Sequence, residues 1–196
     1  MTTANKITIV RILLVPLFIS QVLYYVETGN ELYRLFAILC FGIAALSDGI
    51  DGYIARRYNQ RSELGRILDP LADKLLLLSG IVLLSIANEP RLPHIPKWLT
   101  ILVLSRDVLS ILGAVIIHHV CGKVVVKPVF IGKIATVLQM ACVIWGLFKW
   151  PAPYLYYLAL AAAACTAISG IIYLIDGGRQ LSASPSSLPM PKQREP

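Results

Sequence analysis

Charge is scarce in this chain. Only 15% of its 196 residues are Asp, Glu, Lys or Arg, where a soluble domain carries about a quarter. Apolar residues take their place at 57% of the total, arranged in runs that each approach the roughly 20 residues needed to cross a hydrocarbon core. This composition excludes an ordinary water-soluble domain and makes the bilayer the expected solvent. Acids are scarcer still, 11 against 18 bases, for a net charge of +7. The bases sit beside apolar runs and lack the basic-aromatic pattern of a nucleic-acid surface, so nucleic acid is excluded and anionic membrane lipids are the expected partners. Cys40, Cys121, Cys142 and Cys165 are widely spaced, with no CxxC pair and no ligand-spaced histidine nearby. They read as small core residues, and no zinc site is expected. The first apolar run lacks a small-residue cleavage site, which makes it a retained helix rather than a signal peptide. No internal repeat is present.

Six helical spans can be drawn, at roughly 7–26, 32–56, 63–88, 97–120, 130–149 and 153–175. The expected fold is an all-α membrane protein with six transmembrane helices. An even number of spans puts both termini on one side. That side carries Lys6, Arg56, Arg57, Arg61, Arg66, Lys123, Lys127, Arg179, Lys192 and Arg194, against mainly Arg91, Lys97 and Lys149 on the other. The positive-inside rule then makes both termini cytoplasmic. Trp98, Trp150, Tyr154, Tyr156 and Tyr157 fall near span ends on the outer side, where amphipathic rings favour the interface. Residues 1–176 form one membrane domain, and the Ser- and Pro-rich stretch 177–196 is an expected disordered tail.

Chemistry concentrates between Ser47 and Lys74, where four carboxylates stand at the ends of two otherwise apolar helices. Ionisable groups within a span cost at least about 2.5 kcal/mol each at mid-membrane, so four acids call for a shared counter-charge. Asp48 and Asp51 are three apart, and Asp69 and Asp73 four apart, so each pair lies on one face of its helix. Two helices joined by a short loop can turn those faces toward each other. Oxygen-only ligation without His or Cys selects hard cations, Mg²⁺ or Mn²⁺, over zinc. Gly49, Gly52 and Ala55 strip bulk from one face of the first helix. Arg56 follows one turn after Gly52, placed to bridge ligand phosphates in a bidentate way. Ser62 can cap the next helix, Gly65 again removes bulk, and Pro70 would kink the helix between the second pair.

Each feature alone has a plainer meaning. Small residues on a helix face usually pack, and Arg56, Arg57 and Arg61 suit a positive-inside loop. Four intramembrane acids also suit a proton or ion relay in a six-span transporter.

The joint pattern is more specific. Asp48, Asp51, Gly52, Ala55, Arg56, Gly65, Asp69 and Asp73 occur at fixed spacing across 26 positions, and that arrangement resembles the CDP-alcohol phosphatidyltransferase family, as do the length and the six-helix pattern, over residues 5–175. The resemblance implies an enzyme in which Asp48, Asp51, Asp69 and Asp73 bind two divalent cations, Mg²⁺ or Mn²⁺. It further implies that Asp48, Gly52, Arg56 and Gly65 hold CDP-diacylglycerol and that Asp73 serves as catalytic general base. The site would face the cytoplasm from a bacterial inner membrane, and the resemblance leaves room for a homodimer.

The acceptor alcohol must be read outside this motif. The opening Asn5, Thr8 and Arg11 are similar to the start of the family's branches that use phosphate-bearing acceptors, either glycerol 3-phosphate or phosphatidylglycerol in cardiolipin synthesis. Arg106, Lys127 and Lys133 are the candidate acceptor-phosphate residues. Lys127 also reads as a solvated loop residue, and Arg106 as a structural partner of Asp107. Glycerol 3-phosphate is the favoured acceptor, with phosphatidylglycerol the alternative.

Four carboxylates facing one another repel unless cations lie between them. Transferase activity is therefore expected to vanish in a chelator and to return with Mg²⁺ or Mn²⁺. Full activity in the chelator would remove the metal mechanism and revive the transporter reading, for which ion flux in proteoliposomes is the direct assay.

Overall fold

The structure, a computed structural model, describes residues 3–58, 63–86, 91–121 and 130–182. Among them stand six helices: α1 (Thr3–Thr28), α2 (Glu31–Tyr58), α3 (Glu63–Ser85), α4 (Lys97–Cys121), α5 (Phe130–Leu147) and α6 (Ala152–Ser182). The side chains of residues 3–8, 48–58, 63–71 and 73 lie outside the described set.

All six expected helices are present, with differences at their ends. Helix α1 starts before residue 7, whereas α3 stops short of residue 88. The larger difference lies in α6, which passes through Gly177 and Gly178 to Ser182. Two glycines weaken a helix by about 1 kcal/mol each. There α6 runs beside α4, since a Cβ at Gly177 would stand 3.5 Å from Ile117 of that helix. The rest of the expected tail, residues 183–196, lies outside the described residues.

By length and composition, α1, α4, α5 and α6 are each apolar enough over at least 18 residues to cross a membrane. Helix α3 contributes a shorter apolar stretch, Lys74–Ser85. The outward surface fits a lipid solvent. Leu13, Leu46, Ile101, Val115, Val137, Tyr157 and Ile171 are all more than half exposed, a density of apolar surface that a water-soluble monomer does not carry.

Helix α1 packs mainly on α2 and then on α3, α5 packs on α6, and α4 docks chiefly on α6 while touching α3 lightly. Phe18, Phe41, Leu76, Ile81, Leu84, Leu99, Val143 and Leu155 fill the core between them. Helices α3 and α5 approach closely because Gly80 has no side chain, as a Cβ there would meet Val143 at 2.8 Å.

The bundle is tied at the end that holds the α1–α2 and α5–α6 turns. Gly29 ends α1 with φ 75° and donates its amide to the Tyr25 carbonyl at 2.8 Å, the left-handed cap that glycine adopts without steric cost. Asn30 then caps α2, its side-chain oxygen accepting from the Leu32 amide at 3.0 Å. Glu31 accepts from Lys149 at 2.8 Å and from Arg34 at 2.6 Å. The Lys149 ammonium first, and the Arg34 guanidinium second, hold the Glu31 carboxyl down at about 2. Arg91 donates to the Val26 carbonyl. Around this end lie Trp145 against Trp150, with centroids 4.7 Å apart, and Trp98 against Tyr156 at 6.3 Å. The aromatics expected at one interface therefore do share one end of the bundle.

Replacing Gly29 with Ala adds a Cβ in a left-handed conformation and brings it to 3.2 Å from the Arg91 guanidinium. The expected cost is about 1–2 kcal/mol, seen as a lowered Tm in detergent with unchanged helix content. An unchanged Tm would show that the turn does not depend on the left-handed cap.

Candidate active site

The far end of the bundle carries the acids. Asp48, Asp51, Gly52 and Arg56 lie in the last third of α2, and Gly65, Asp69 and Asp73 in the first half of α3, with the backbone helical through both stretches, Pro70 included. Helical continuity keeps each pair one turn apart on one face, and α2 contacts α3. The side chains of all seven residues lie outside the described set, and Lys127 lies outside the described residues altogether. As a donor set, four carboxylates fit a hard divalent cation. Among the described residues no other group of His, Cys, Asp or Glu could hold a metal.

The polar groups that the structure does describe converge from three other helices. Arg106 of α4 donates from Nη1 to Asp107 Oδ1 at 2.8 Å, and Lys74 Nζ of α3 approaches the same oxygen at 3.4 Å. Lys74 follows Asp73 in the chain, so this cluster sits at the level of the second aspartate pair. The Tyr173 ring of α6 lies 5.3 Å from the Arg106 guanidinium carbon, a cation–π distance. Gly132 of α5 leaves room for the guanidinium, since a Cβ there would stand 3.2 Å from Nη2. Gly170 does the same for the stem, at 3.4 Å from Cγ. Arg106 Nε is buried without a hydrogen-bond partner.

Among the described residues two cations reach one carboxylate; the Arg106 and Asp107 side chains are only 18% and 12% exposed, and Lys74 is 38% exposed. A cation held away from water attracts an anion more strongly than the same charge on a wet surface. Arg11 of α1 is fully buried as well, and a buried guanidinium inside an apolar bundle marks a functional interior.

The structure thus brings Arg106 to the first turn of α5, where Lys133 follows Gly132 and is exposed. The sequence offered no site role for Lys74, Gly132 or Tyr173. Only Arg11 had a signal, through its place in the opening motif. Asp107 was legible as a neighbour of Arg106 but not as a partner of Lys74, which is 33 positions away in the chain.

The sequence profile of the CDP-alcohol phosphatidyltransferase family matches residues 1–171. This chain belongs to the CDP-alcohol phosphatidyltransferase family. Among its relatives is a probable phosphatidylglycerophosphate synthase of Mycobacterium tuberculosis strain H37Rv, 30% identical over 184 residues, covering 91% of this chain and 82% of the relative. A CDP-diacylglycerol–glycerol-3-phosphate 3-phosphatidyltransferase of Bacillus subtilis is 34% identical over 147 residues, or 71% of this chain and 72% of the relative. A cardiolipin synthase (CMP-forming) of Streptomyces coelicolor is 36% identical over 137 residues, or 69% of this chain and 60% of the relative. The family match spans all six helices except the last turns of α6, so the aspartate segment, Lys74, Arg106, Asp107 and Gly132 fall within it and Tyr173 lies just beyond.

Asp73→Asn is expected to lower kcat by roughly 100- to 10,000-fold, the usual contribution of a general base. It should keep CDP-lipid affinity better than Asp48→Asn, because an amide still offers an oxygen but takes no proton. Binding of a CDP-lipid measured beside turnover separates the two. Equal loss of affinity in both variants would make Asp73 a ligand alone.

Proposed function

We propose that this phosphatidyltransferase moves the phosphatidyl group of CDP-diacylglycerol onto glycerol 3-phosphate, giving phosphatidylglycerophosphate and CMP. The observation that carries the choice of acceptor is the Arg106 cluster, in which, among the described residues, two cations surround one carboxylate at the level of the second aspartate pair. A neutral alcohol would have no use for those cations, whereas a phosphate-bearing acceptor would pair with them. The printed names of the Mycobacterium tuberculosis and Bacillus subtilis relatives support the same reading.

In this reading Asp48, Asp51, Asp69 and Asp73 hold two divalent cations, Mg²⁺ or Mn²⁺. Bound there, the cations would supply Lewis acidity toward the pyrophosphate and offset the charge left on CMP. Arg56 grips the pyrophosphate, while Gly52 and Gly65 leave the space beside it. Arg106, Lys127 and Lys133 orient the acceptor through its phosphate. The acceptor hydroxyl attacks the phosphorus that bears the diacylglycerol, the bond from that phosphorus to the CMP oxygen breaks, and the hydroxyl proton passes to the Asp73 carboxylate. Six spans, cytoplasmic termini and a site facing the cytoplasm from a bacterial inner membrane complete the proposal, supported by the distribution of Lys and Arg.

The Streptomyces coelicolor relative favours a second reading, in which phosphatidylglycerol is the acceptor and cardiolipin the product. Its phosphodiester would meet the same cations. Purified protein given CDP-diacylglycerol, a divalent cation and each acceptor in turn, with CMP release followed and the lipid product identified, decides between them.

Lys133→Ala should raise the KM for glycerol 3-phosphate by roughly 10- to 150-fold, as loss of one charge-assisted contact costs about 1.5–3 kcal/mol. The KM for CDP-diacylglycerol should barely move. An unchanged acceptor KM in a well-folded variant would refute the assignment and turn attention to Arg11.

A further inference from the structure

A carboxylate in the middle of a phosphate-binding cluster needs an explanation. Asp107 repels any anion that the neighbouring cations attract, and a buried carboxylate is itself expensive to desolvate. Yet Asp107 is buried, at 8% exposure, and its Oδ1 receives both the Arg106 guanidinium at 2.8 Å and the Lys74 ammonium at 3.4 Å. A group that weakens anion binding by its charge earns its place only through geometry.

Geometry supplies the reason. The Arg106 side chain must cross from α4 toward α5 and α6, passing Gly170 at its stem and Gly132 at its tip. Its guanidinium carbon lies 5.3 Å from the centroid of the Tyr173 ring, but a cation–π contact does not fix rotation within the guanidinium plane. The Nη1 bond to Asp107 does. With one N–H committed, Nε stays buried and without a partner, and a guanidinium has five N–H donors in a rigid fork. Asp107 thereby fixes the direction in which the uncommitted donors point. Its second ion pair, to Lys74, spans α4 and α3, two helices that otherwise touch lightly, and so ties the Arg106 cluster to the helix that bears Asp69 and Asp73.

We infer that Asp107 is a positioning residue for the acceptor, acting through Arg106 by fixing its guanidinium and registering it against α3. This inference rests on reading Arg106 as a ligand of the acceptor phosphate. Asp107 touches no substrate. Its loss frees Arg106 to rotate and leaves Lys74 and Arg106 as neighbouring cations that push each other apart.

The test uses the purified full chain in detergent, with Arg106→Gln, Asp107→Asn and the double variant compared for both KM values, kcat and Tm. Asp107→Asn should raise the KM for glycerol 3-phosphate by roughly tenfold or more, the scale of one charge-assisted contact. The KM for CDP-diacylglycerol should stay within about twofold of wild type. Because Asp107 acts through Arg106, the double variant should bind the acceptor no worse than Arg106→Gln alone. Should Asp107→Asn not fold, Lys74→Gln/Asp107→Asn removes the lone ammonium and is expected to show the same separation of the two KM values. Penalties that add in the double variant, or a fall in Tm with both KM values disturbed alike, would overturn the inference and leave Asp107 a structural residue. A raised acceptor KM in Arg106→Gln with none in Asp107→Asn would overturn it while sparing the acceptor reading. An unchanged acceptor KM in Arg106→Gln would overturn both.

Discussion

A charge taken out of water must find a counter-charge, and in an apolar bundle that requirement governs where every ionisable group can stand. The chain meets it by sorting its charges to two ends of the helices. At one end Glu31, Arg34 and Lys149 satisfy one another at 2.6–2.8 Å, and the arrangement is local, exposed and worth little energetically. At the other end Asp48, Asp51, Asp69 and Asp73 share α2 and α3 with Arg56, Arg57, Arg66 and Lys74, and among the described residues Lys74 and Arg106 both reach the one carboxylate of Asp107.

Packing sets how these groups meet. Helices α1, α2 and α3 share the core. Helix α4 is the outlier, docked mainly on α6, and it is the helix that carries Arg106 and Asp107. The small residues Gly132 and Gly170 let the Arg106 side chain pass between α5 and α6, so a residue from the outlying helix contributes to the interior.

Much of this was legible in the sequence because the relevant physics is local. Spans of apolar residues bounded by Gly29 and Asn30, or by Pro93 and Pro96, define helices and turns through chain length and backbone conformation alone. The aspartate motif stood out because its four carboxylates come from two segments adjacent in the chain, where spacings of three and four residues place each pair on one helix face. The end of α6 was misjudged for the converse reason. Gly177 and Gly178 are weak helix formers by local propensity, yet the helix runs through them to Ser182, beside α4, in tertiary surroundings that local propensity does not record.

Composition and spacing by themselves determined a helical membrane protein, the aspartate-bearing pair of helices and membership of a metal-using transferase family, since each depends on residues close in the chain. Tertiary structure alone decided that Lys74 meets Asp107, that Arg106 runs between two glycines toward Tyr173, and that Arg11 is fully buried. Those contacts join residues from different helices, and no periodicity within one helix records which neighbour it will face. Only packing selects that neighbour, because helices with similar apolar faces can be paired in several ways, and the match of small residues to large side chains picks one of them.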